Sequence, residues 1–234
     1  MQPDPEIQTM ALLSVGFVFG MKHALDADHL AAISTIVSER KNWFSSSIIG
    51  GLWGIGHTIS LFAAGAIVLF LKIQISPRLE NILESCVGLM LVGLGVSALW
   101  RLRRGSKLHL HQHQHGERVH LHPHFHEQDL PTEASHHTVG KRPLLIGLIH
   151  GLAGSAALML LVLSSIPTAL IGMIYIAVFG TGSIIGMMLI SSLIGLPFHL
   201  TSSRFKMANL SARILAGIFS VGCGLMIIYQ KGQL

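Results

Sequence analysis

Charge is what this sequence has least of. Only 12% of its 234 residues are Asp, Glu, Lys or Arg, about half the ~25% of soluble domains, which argues against an ordinary water-soluble globule. Cysteine is scarce too. Cys86 and Cys223 lie inside apolar runs, so they read as buried inert thiols and exclude a disulfide framework. No Walker-type glycine-lysine loop occurs, so direct use of ATP would need another subunit. Nor is there a His-Glu-x-x-His pair or another recognisable catalytic base arrangement, and the chain is not expected to be an enzyme. The leading MQPDPEIQ is acidic rather than basic. With no clear small-residue cleavage site after the first apolar run, a cleaved signal peptide is not expected.

What the chain has instead is apolar length. Half its residues are hydrophobic and its mean hydropathy is +0.60. Apolar runs cover Met10–Val37, Trp43–Leu71, Ile82–Trp100, Leu144–Leu163, Ala169–Leu196 and Leu210–Tyr229. Runs of about 18 residues or more mark membrane-spanning helices. The expectation is an all-α polytopic membrane protein with about six transmembrane helices, with the lipid bilayer as its surroundings. The net charge of +5 and pI near 9.6 do not point to nucleic acid, because the bases cluster in loops beside the helices. Assigned to alternate faces of six spans, Lys and Arg number twelve on the side holding the central loop and three on the other. The positive-inside rule then places that loop in the cytoplasm and both termini outside, as in a multi-pass protein of a bacterial cytoplasmic membrane.

Three stretches recur in order at nearly one offset. GMKHALDAD at 20–28 matches GLIHGLAGS at 147–155, aligning Gly20 with Gly147 and His23 with His150. WGIGHTIS at 53–60 matches FGTGSIIG at 179–186, and VGLMLVGLG at 87–95 matches AGIFSVGCG at 216–224. The chain therefore divides into a first half at 1–100, a central loop at 101–142 and a second half at 143–234. Three helices per half force the second half to lie inverted in the membrane. Inverted repeats are a transporter design, with the substrate site where the halves meet near mid-membrane. The halves are chemically unequal: Asp26, Asp28 and His29 face Ala153, Ser155 and Ala156. One asymmetric site is expected.

HALDADH at 23–29 holds the polar load of that site. An Asp at mid-bilayer costs roughly 2.5–3.5 kcal/mol, so such residues are functional by default. Lys22 and Asp26 are spaced for a helical ion pair, but that pair would explain one carboxylate only. On a regular helix His23, Asp26 and His29 share an arc of about 120°, with Asp28 about 100° beyond His29. Asp28 is then either an outer partner that orients an imidazole, or the helix is unwound near Gly20. Imidazole and carboxylate suit divalent first-row metals such as nickel, cobalt, zinc and iron. His57 beside Gly54 and Gly56, and His150 beside Gly151 and Gly154, join the candidate metal ligands through their places in the repeat. His199, after Pro197, is a weaker candidate near an interface.

The central loop holds His109, His111, His113, His115, His120, His122, His124, His126, His136 and His137. Such tracts read as accessory metal-binding segments. Their alternate spacing gives no helical apolar face, so disorder is expected.

The pattern of His23, Asp28 and His29 in KHALDADHLAAI resembles the signature of the nickel/cobalt transporter (NiCoT/NicO) family. GIGHTIS at 54–60 resembles that family's next helix, and HGLAGSAAL at 150–158 resembles its short, urease-accessory-like membrane branch. The resemblance implies a metal-recognition role for the first helix and for His57. Longer members have eight helices, arginine where this chain has Lys22, and aspartate-rich strings that are missing here. The expected function is transport of Ni²⁺ or Co²⁺, with uptake by a secondary-type permease ahead of efflux. No prosthetic group is expected, the ion itself being the substrate. A cytoplasmic loop delivering the ion would have a metallochaperone as a candidate partner. An intramembrane metalloenzyme is the reading of another class, and the missing catalytic base arrangement counts against it.

Overall fold

The computed structural model describes residues 5–38, 42–72, 75–105, 108–115, 118–125, 141–153 and 168–232. They form seven helices and one hairpin. The helices are α1 Pro5–His23, α2 Ala27–Val37, α3 Trp43–Leu71, α4 Pro77–Gly105, α5 Arg142–Ala153, α6 Ala169–Arg204 and α7 Lys206–Lys231. The strands β1 Leu108–His115 and β2 Arg118–Phe125 pair antiparallel within the central loop.

Among the described residues, α3, α4, α6 and α7 are long and apolar enough to cross a membrane. The pair α1 and α2 makes a fifth span if counted as one, bent by 52° at its break. Residues 154–167, most of the rest of the expected Leu144–Leu163 run, lie outside the described residues. The outward faces carry large apolar side chains, among them Phe70, Leu89, Leu193 and Leu215. In water such a surface would aggregate, and in lipid it is the required one.

The first expected span, Met10–Val37, is not one helix. It breaks at 24–26, where the Leu25 and Asp26 amides bond back to the Lys22 and His23 carbonyls in tight turns. Asp26 is extended (φ −62°, ψ 147°) and sits at the N-cap of α2, with Asp28 in the first turn. An acidic residue there is favoured by the helix dipole. The opposite correction applies at Pro197, which does not end its helix. The chain stays helical to Arg204, with the Pro197 carbonyl accepting from Thr201 Oγ1 at 2.7 Å and the Phe198 carbonyl from Asn209 Nδ2 at 3.0 Å. A membrane helix can carry such a proline, which removes only the backbone bond to the Leu193 carbonyl.

α3 packs chiefly on α6 and α5, α1 on α6, and α4 on α7. Small residues allow these approaches, and the contacts recur about 127 positions apart. A Cβ on Gly20 would meet Phe179 and Ser183 backbone, and one on Gly147 would meet Trp53 and His57 backbone. Likewise Gly56 abuts Leu144 and Leu148, while Gly182 abuts Phe17 and Met21. In the α4–α7 pair, Gly88 faces Gly224 and Gly95 faces Gly217. The buried core around these crossings includes Ile33, Trp53, Leu91 and Met187.

In the hairpin His109 stands opposite His124, His111 opposite His122, and His113 opposite His120. The alternate spacing that gives no helical face is also the period of a strand. His126, His136 and His137 lie outside the described residues.

Candidate metal centre

Four helices bring six polar side chains together. His23 is the last residue of α1, Asp26 caps α2, and Asp28 and His29 lie in its first turn. His57 comes from α3 and His150 from α5. His57 lies 14 residues from either end of the 29-residue α3, or about 21 Å at 1.5 Å per residue. It thus sits at the middle of a helix long enough to cross a bilayer.

The break between α1 and α2 makes this gathering possible. It lets the two histidines of HALDADH converge although they belong to differently directed helices. The ring centroids of His23 and His29 are 4.3 Å apart, those of His29 and His57 5.3 Å, and those of His29 and His150 4.2 Å. His29, His57 and His150 are each 1% exposed. The His23 and Asp26 side chains are 18% and 53% exposed, so they form the open side of the site.

The carboxylates hold imidazoles. Asp26 Oδ2 lies 2.7 Å from His23 Nδ1, so Asp26 pairs with His23 and not with Lys22. Asp28 Oδ1 accepts from the His29 amide and faces His29 Nδ1, both at 2.9 Å, while its Oδ2 lies 2.9 Å from His150 Nε2. An ionised carboxylate only accepts, so each facing ring nitrogen carries a proton. The helix is interrupted at 24–26 and not near Gly20, which stays within α1, and Asp28 hydrogen-bonds two imidazoles. The arc joining His23, Asp26 and His29 presupposed a continuous helix and does not apply across the break.

Other ring nitrogens, lone pairs and the N–H of His57 alike, have nothing to hold. His29 Nε2, both ring nitrogens of His57 and His150 Nδ1 are buried without a hydrogen-bond partner. A buried unsatisfied polar group costs about 1–3 kcal/mol, and clustering several is the mark of a site shaped for a ligand. Two ligand sets have donor atoms within 4.8 Å of one another: His23 with His29 and His57, and Asp28 with His29 and His150. Nitrogen-rich sets backed by carboxylates suit divalent nickel, cobalt or zinc.

Aromatic rings wall the cluster. Trp53 lies 5.1 Å from the His29 ring and 5.4 Å from that of His150, and Phe179 lies 5.5 Å from His23. Neither was legible as a site residue, although Trp53 stands one helical turn before His57. Ser183, which occupies the repeat position equivalent to His57, donates to the Gly20 carbonyl at 3.1 Å and so fixes α1 on α6. His199 is exposed on α6 and belongs to neither ligand set.

Known proteins share this framework. A urease accessory protein, UreH, of Bacillus sp. (strain TB-90) is 38% identical over 227 residues, covering 97% of this chain and 94% of that protein. A high-affinity nickel transport protein of Cupriavidus necator is 33% identical over 97 residues, covering 41% of this chain and 26% of its own length. The "Putative nickel/cobalt efflux system MJ1092" of Methanocaldococcus jannaschii is 27% identical over 169 residues, covering 71% and 67%. No solved structure matches the chain. A family model described as a high-affinity nickel-transport protein, NicO, matches residues 9–208. With most of its length matched in this way, the chain belongs to the NicO nickel-transport family.

Proposed function

We propose that this protein is a secondary-type permease that takes up Ni²⁺ or Co²⁺ across a bacterial cytoplasmic membrane. The observation that carries this reading is the convergence of unpartnered imidazole nitrogens at the midpoint of an apolar helix bundle. His23, Asp26, Asp28, His29, His57 and His150 form the site in this reading. The histidines are metal ligands, and the carboxylates orient them, balance the charge of the ion and offer oxygen ligands of their own. Residues 1–100 and 143–234 act as inverted halves that rock about the site. The recurrence of the Gly20 contact at Gly147, and of the Gly56 contact at Gly182, supports that symmetry.

Both termini face outward and the loop at 101–142 faces the cytoplasm in this topology, following the charge bias. The loop histidines collect the arriving ion for buffering or for a metallochaperone. Three histidine pairs facing each other across the hairpin support such a role.

Uptake of radioactive nickel by intact cells tests the direction. Expression of the wild type raises cellular metal and His23→Ala does not. Lower cellular metal on expression of the wild type would instead establish export. The Methanocaldococcus jannaschii relative, whose name describes efflux, favours that second reading. In it the loop captures excess metal on the cytoplasmic side.

A further inference from the structure

The six side chains form two overlapping ligand sets, and His29 belongs to both. The sets differ in readiness. In the first, His29 Nε2 and both nitrogens of His57 have no partner, and His23 alone is held, through Nδ1 by Asp26. In the second, both oxygens of Asp28 are already engaged, Oδ1 by His29 and Oδ2 by His150. An ion in the second set shares those oxygens with the imidazole N–H groups and competes with them. One position is thus open and the other is latched.

The sets also differ in origin. His23, His29 and His57 come from α1, α2 and α3, all before the central loop. The second set alone joins that half to α5, through His150. A movement between the halves leaves the first set whole and opens or closes the second. Two dications sharing His29 would repel with four times the energy of unit charges at the same distance, so the positions fill in turn.

Resting on the transport reading above, we propose that the ion passes between two successive positions that share His29. The first is the three-imidazole position of His23, His29 and His57. The second is the mixed position of Asp28, His29 and His150, with Asp28 as its latch. Exchange between them is the step that couples ion movement to the rearrangement of the halves.

The test uses the full-length chain with its ten loop histidines replaced by serine. Nickel binding is measured by equilibrium dialysis, the donor atoms by X-ray absorption, and transport in liposomes. His150→Gln acts on the first position only through Asp28, so it binds within about tenfold of the parent. Its first shell contains imidazole without carboxylate, and its transport is lost. His57→Gln binds through the second position, with carboxylate oxygen in the first shell, and also fails to transport. The double variant loses binding. Helicity by circular dichroism confirms folding, and the corresponding asparagine variants replace any glutamine variant that does not fold.

Two results would overturn the proposal. One is either single variant losing as much binding as the double, which means one composite site. The other is His150→Gln transporting at the parental rate, which takes the second position off the path. A parent that moves neither nickel nor cobalt would refute the transport reading instead, while dialysis and X-ray absorption would still decide whether two positions exist.

Discussion

Asp28→Asn removes a charge at nearly constant volume, so it isolates what that carboxylate does. Asp28 accepts at 2.9 Å from the His29 amide, from His29 Nδ1 and from His150 Nε2, using both oxygens. Asparagine keeps one oxygen, and its amide nitrogen can only donate. One of the two imidazoles therefore loses its acceptor, and both lose the negative charge that raises their basicity. Removing such an outer partner typically lowers metal affinity by about 10–100-fold, or roughly 1.4–2.7 kcal/mol. Asp26 provides the internal control. It holds only His23, and at 53% exposure water competes for its place, so Asp26→Asn costs less than about tenfold. Equilibrium dialysis against nickel and cobalt, on chains whose loop histidines are serine, measures both. Affinity for Asp28→Asn within about twofold of the parent, or a larger loss for Asp26→Asn, would refute the assignment of Asp28 as the main orienting group.

Packing and conditions supply further checks. Gly56→Leu drives a side chain into the Leu144 backbone and destabilises by at least the ~1–3 kcal/mol typical of overpacking, whereas Gly93→Ala enters open space and is near neutral; thermal unfolding in detergent compares them, and equal effects would contradict the packing. Acidification weakens metal binding, because only neutral imidazole is a ligand and the ion must compete with protons for it. An affinity that does not fall with acid anywhere the fold survives, checked by helicity, would count against histidine ligation. Deleting residues 109–137 alters the capacity or regulation of transport but leaves transport itself, as liposome flux will show; complete inactivation would contradict an accessory role for the loop.

Much of the site was legible because buried charge is conspicuous in an apolar chain. HALDADH declared itself by composition, and His57 and His150 by their places in the repeat beside glycines. The break at 24–26 was less visible. Helical projection assumes one continuous axis, and nothing in the apolar period around Ala24 and Leu25 announces that Asp26 starts a new helix. Trp53 and Phe179 stayed hidden because aromatic residues in membrane helices ordinarily signal packing alone. The apolar run that ends at Leu196 understates α6, which continues through Pro197 to Arg204 because helical backbone goes on where hydropathy falls. In the loop, the alternating histidines offer no helical face, but the same period is also that of a strand, and 108–115 pairs with 118–125.

The most direct test of the central claim is X-ray absorption on the nickel- or cobalt-loaded, full-length chain with its loop histidines replaced by serine. The account predicts two or three imidazoles in the first shell of the bound ion, lost in the His57→Gln, His150→Gln double variant. A first shell made only of oxygen donors, or one unchanged in the double variant, would contradict it.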